Sequence, residues 1–194
     1  MKPIIAFVLV LISSTVLGTV LHAQNVYVGS FLGRNSASMI CSTNLTDCPF
    51  IGFDEVFDTA HNEVGLFGGF RTASKPVFIG VEGEIARGEL DLFVDNNPYA
   101  SAHSRVKLLV GADISNATVY GFVGAGSLRL DHIAGGWIVT GPTRVFGAGV
   151  EYDINERIGI RVESLTEVGT LTDIRNTYDW KNTSVRAGVT VTFK

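Results

Sequence analysis

The chain has 194 residues, of which 46% are hydrophobic and 18% charged, and its formal charge is −4. That length gives one domain with its own core, and a mildly acidic balance without a basic run removes any electrostatic reason to bind nucleic acid. Mean hydropathy is +0.28, yet beyond the N-terminus no uncharged run is long enough for a membrane helix, so the apolar residues must be spread over short strands.

The N-terminus reads Met1-Lys2, then an uncharged stretch from Pro3 to Leu21, then His22-Ala23 before Gln24. One positive charge, an apolar block and a small residue are the layout of a secretory signal peptide. Ser13, Ser14, Thr15 and Gly18 interrupt the block and argue against an uncleaved anchor helix. Cleavage is expected after Ala23, which makes 1–23 the signal and 24–194 the barrel domain. Export also suits Cys41 and Cys48, which lie in a Ser/Thr/Asn-rich segment. An oxidising compartment would pair them, and so small a ring contributes about 2 kcal/mol.

Eight segments alternate at period two: Val26–Gly33, Asn62–Arg71, Pro76–Arg87, His103–Ile114, Ala117–Leu130, Arg144–Asp153, Arg157–Leu165 and Thr183–Phe193. Their connections alternate too. Arg34–His61, Gly88–Ala102, Asp131–Thr143 and Thr166–Asn182 are long, whereas Thr72–Lys75, Ser115–Asn116 and Ile154–Glu156 are short. Long loops on one rim and tight turns on the other are how an up-and-down membrane barrel is built. The expected fold is therefore all-β: an eight-stranded antiparallel up-and-down transmembrane β-barrel with long extracellular loops and short periplasmic turns.

Most segments carry one apolar and one charged or glycine face; the first and fifth are ambiguous, since both of their faces are largely apolar or glycine. A soluble barrel would bury the apolar face and a membrane barrel the charged one. Glycines beside the charges, aromatics at strand ends and the charge balance put the charged face inside. Glu63, Glu82, Glu84, Glu151 and Glu163 match Arg71, Arg105, Lys107, Arg161 and Arg186 five to five. A narrow lumen requires such pairing; a solvated exterior does not.

The last segment carries polar–x–Gly–x–x–apolar–x–aromatic as Arg186, Gly188, Val191 and Phe193, followed by Lys194. This resembles the C-terminal assembly signal of bacterial outer-membrane barrels. Upstream, Phe146–Glu163 contains Gly147, Gly149, Glu151 and Tyr152 in a Gly-x-Gly-x-Glu-Tyr core. It resembles the penultimate hairpin of the outer-membrane-protein β-barrel domain family, eight-stranded barrels related in architecture to Opa adhesins and the OmpA membrane domain. The resemblance implies a monomer in the bacterial outer membrane, surrounded by lipid and lipopolysaccharide and inserted by the barrel assembly machinery. The expected role is structural, surface-antigen or adhesin-like, with a host or envelope ligand met at the loops.

An eight-stranded barrel has a lumen that side chains fill. Glu82, Glu84, Arg105, Lys107, Glu151, Arg161, Glu163 and Arg186 are expected to form a charge network there, with no cofactor, no metal and no catalysis. Besides a soluble, secreted ligand-binding barrel whose apolar side chains line the cavity, two alternatives remain at this point. One is a small ion-conducting, porin-like barrel in which those pairs rearrange. The other is a lipid A-modifying enzyme using His61, His103 and His132 at the loop-side rim with Asp131, Ser104 and Ser127 nearby. Tyr99, Trp137, Tyr178 and Trp180 are read as an aromatic girdle or as exposed contacts.

Overall fold

A computed structural model describes residues 24–41, 59–72, 76–90, 99–132, 138–172 and 177–193. They form eight strands: β1 (Gln24–Cys41), β2 (Thr59–Thr72), β3 (Val77–Leu90), β4 (Tyr99–Ile114), β5 (Ala117–His132), β6 (Ile138–Asp153), β7 (Ile158–Thr172) and β8 (Thr177–Phe193). Each pairs antiparallel with its neighbours in sequence, and β1 pairs with β8, so the sheet closes into a barrel. The expected all-β, eight-stranded antiparallel up-and-down barrel is the observed one. Cys41 ends β1; its expected pairing with Cys48, like the signal segment 1–23, lies outside the described residues.

The eight strands were all legible, but they run farther than the sequence pattern marks, almost entirely at the loop-side end. β1 continues to Cys41, β6 begins at Ile138 and β7 reaches Thr172. Two connections read as long, Asp131–Thr143 and Thr166–Asn182, therefore shrink to 133–137 and 173–176. The cause is a reversal of polarity along the strands. In the lower part, the outward residues are apolar: Val77, Ile79 and Ile85 on β3, and Val106, Leu108, Val110 and Ile114 on β4 are exposed. Higher up, the apolar residues turn inward. Leu128, Leu130, Val139, Leu171, Tyr178 and Trp180 are buried together with Ala37 and Met39, while Arg129, Thr140, Thr170, Asp179 and Lys181 face out. A pattern that changes face in mid-strand reads as a strand that has ended.

The same packing corrects the reading of two aromatics. Tyr178 and Trp180 are inside the barrel, 3% and 2% exposed, and belong to no outer girdle. The side chains of Tyr99 and Trp137 lie outside the described residues. The two ambiguous strands also resolve, with Tyr27 and Phe31 of β1 and Tyr120 and Phe122 of β5 inside. Val26, Val28 and Leu32 of β1, and Val119 and Val123 of β5, face out.

Two turns opposite the loop side are described. Between β4 and β5, Ser115 takes φ 58°, a conformation that glycine usually supplies at the first position of a two-residue hairpin. Between β6 and β7, the Asn155 carboxamide oxygen accepts from the backbone N–H of Arg157 and Ile158, a side chain standing in for a backbone turn acceptor.

Candidate functional site: the charged lumen

Strand register sets the site. It places Glu82 opposite Lys107, Glu84 opposite Arg105, Glu151 opposite Arg161 and Glu163 opposite Arg186. Opposed residues on one face lie within side-chain reach, so four oppositely charged pairs follow from register alone. All eight residues are at most 4% exposed.

The pairs join into one lattice. Arg161 donates to Glu82 at 2.6 Å and to Glu151 at 3.0 Å. Lys107 contacts Glu82 and reaches Glu84 at 2.8 Å. Arg186 donates to Glu84 and Glu163, both at 2.6 Å. Arg105 donates to Glu63 at 3.0 Å, to Glu167 at 2.7 Å and also to Glu84. Arg71 closes the lower end with a fork onto Glu151, its shorter contact 2.7 Å. Neutral donors add to this. The Tyr27 hydroxyl donates to Glu82, Tyr120 to Glu163 and Thr143 to Glu167.

Four of the cations rest on rings. Arg161 lies 4.2 Å from the Phe67 centroid, Arg186 lies 4.5 Å from that of Phe31, Arg71 lies 4.5 Å from that of Tyr27 and Lys107 lies 4.8 Å from that of Phe122. Each charge thus has carboxylates on one side and an aromatic face on the other, which offsets part of its lost hydration.

Three ionisable residues of the lumen are placed elsewhere by the sequence pattern. Glu167 was assigned to a connection, although it continues the inward phase of Glu163 and Leu165. His61 and His103 were placed at the rim, but they are buried, 5% and 3% exposed. His103 Nδ1 lies 3.0 Å from Glu167, and His61 Nε2 lies 3.1 Å from the Asn35 amide. This corrects the rim constellation. Ser104 and Ser127 face outward while their neighbours His103 and Leu128 face inward, and Asp131 faces out and accepts from Arg129 at 3.0 Å. The wall of the barrel separates the histidine from both serines. The His132 side chain lies outside the described residues.

Glycines leave room for the lattice at a few close approaches. A Cβ on Gly149 would stand 2.5 Å from the ring carbon and oxygen of the Tyr120 phenol and 2.9 Å from Glu163 Cγ. Gly149→Ala should therefore displace Tyr120 from Glu163 and lower stability by about 1–3 kcal/mol, read by urea unfolding of protein refolded in lipid. An unchanged midpoint would mean that Tyr120 has room to shift.

Comparison with known proteins gives a family and a fold. The OmpA-like transmembrane domain model matches residues 21–194. The chain is similar to the crystal structure of Neisserial surface protein A, with TM-score 0.62 and 13% identity over 87% of this chain and 97% of that one. It is also similar to the outer membrane protein OprG from Pseudomonas aeruginosa, with TM-score 0.51 and 11% identity over 88% of this chain and 96% of that one. No curated protein matches the chain in sequence.

Proposed function

Since the chain belongs to the OmpA-like transmembrane domain family and is an outer-membrane β-barrel, we propose that it serves as a sealed, non-catalytic anchor that displays its loop-side end at the cell surface. Its role in this reading is structural and adhesin-like, with a ligand met by the loops. Residues 24–194 act as the mature monomer, left after the leader is removed.

One observation carries the reading: the lumen is filled twice over. The ionic lattice occupies the middle, and above it Leu128, Leu130, Leu171 and Trp180 pack with their neighbours into an apolar plug. Ions would have to break the first and dehydrate through the second. The reversal of polarity supports the orientation. The outward apolar run from Val106 to Ile114 spans nine positions, which at ~3.3 Å each and a tilt near 45° covers most of the ~25 Å apolar band. The upper strands, apolar inside and polar outside, are built like a soluble barrel and stand in water.

Refolded barrel in a planar bilayer should show no conductance above the bare membrane. Stable channel openings would replace this reading with the ion-conducting one.

A further inference from the structure

The outer wall carries a groove of about 600 Å³ that reaches from β1 to β6, within the size range of ligand sites. It exists because the outward side chains at its centre are small, Ala102 and Ser104 of β4 and Ser127 of β5, while Ile85 and Arg87 of β3 and Arg129 of β5 stand around them. Leu66 and Ile85 wall its lower end and are 57% and 60% exposed. At its upper end register sets two arginines against the same alanine, since Arg87 and Arg129 are the partners of Ala102 on either side. Two strand spacings separate them, roughly 10 Å. Among the described residues, Arg129 meets Asp131 through Nε, which turns its Nη edge to another acceptor. The acids Glu89 and Asp131 stand one rung higher, against Ala100, on the side away from the apolar belt.

We propose that this groove seats one phosphate-bearing, acylated lipid of the outer leaflet, its phosphate between Arg87 and Arg129 and an acyl chain on Leu66 and Ile85. Charge and polarity agree along the groove. The guanidiniums sit where the outward face changes from apolar to polar, the level of a lipid headgroup, and their planar forks suit phosphate oxygens. The small floor admits a chain that a flat wall of valine and isoleucine would only brush. The seat lies at the loop-side end and so rests on the orientation proposed above.

The test is binding of diphosphorylated lipid A to the refolded full barrel in detergent micelles, followed by native mass spectrometry. Wild type should retain one lipid. Arg87→Gln/Arg129→Gln should bind roughly tenfold or more weakly, the loss expected from two charge-assisted contacts. Ser104→Phe, which fills the floor and leaves the charge alone, should weaken binding as well, and both variants should keep the heat-modifiable migration of a folded barrel. Equal retention by either folded variant, or equal retention of dephosphorylated lipid A by wild type, overturns the proposal; so does inorganic phosphate binding as tightly as the lipid. Micelles have no sidedness, so orientation is decided separately by protease accessibility of the loop-side end in whole cells. A failure of either result is thereby distinguishable from the other.

Discussion

Replacing Arg186 with leucine should destabilise the folded barrel by about 3–5 kcal/mol, the usual penalty for stranding a buried charge. The guanidinium ties Glu84 on β3 to Glu163 on β7 across the lumen, and its removal leaves both carboxylates short of a partner in a space that side chains fill. The charge count makes the effect directional. Among the described lumen residues, Glu63, Glu82, Glu84, Glu151, Glu163 and Glu167 face Arg71, Arg105, Lys107, Arg161 and Arg186, six acids to five bases before His103 is considered. Deleting a base widens that excess; neutralising an acid removes it. Glu84→Gln keeps its volume and leaves Lys107, Arg105 and Arg186 with other acceptors, so it should cost markedly less than Arg186→Leu. Urea unfolding of both variants refolded into lipid vesicles measures the difference. If Arg186→Leu matches wild type, or Glu84→Gln is the more damaging of the two, the lattice is not held by charge.

The lower half of the barrel was legible because one rule governs it: outward residues are apolar and inward ones meet one another. Strands β3, β4 and β7 obey that rule with clean alternation, and their glutamates and basic residues could be assigned to one face from sequence. β1 and β5 could not be assigned, because rings such as Tyr27 and Phe122 fill the lumen beside the cations and so put apolar residues on both faces. The upper half follows the opposite rule. There Leu128 and Leu130 turn inward while Arg129 turns out, so a search for one continuous apolar face stops at the crossing and gives Glu167, Tyr178 and Trp180 to loops. The histidines were misread for the same reason. His103 reads as a rim residue because the alternating pattern begins there, whereas β4 starts four residues earlier at Tyr99 and carries His103 into the lumen.

Phe193→Ala is expected to separate assembly from stability. The structure divides the terminal motif between the two faces. Arg186 is buried, Gly188 is half-buried on the same inward phase, and Val191 and Phe193 face out, with Phe193 54% exposed beside Val26 of β1. A ring exposed to that degree adds little to the folded state, about 1 kcal/mol by the area it covers. If residues 186–193 act as the assembly signal they resemble, that ring has a second role, as the feature that the insertion machinery reads before the barrel exists. Phe193→Ala should then reduce the amount of barrel in the outer membrane several-fold, while the urea midpoint of protein refolded into lipid changes only slightly. Arg186→Leu should do the reverse in its balance, since its main loss is in the finished lattice. Surface abundance in cells and unfolding in vesicles, measured on the same pair of variants, read the two roles apart. If Phe193→Ala inserts at wild-type levels, the last strand only closes the barrel against β1, and the motif carries no signal.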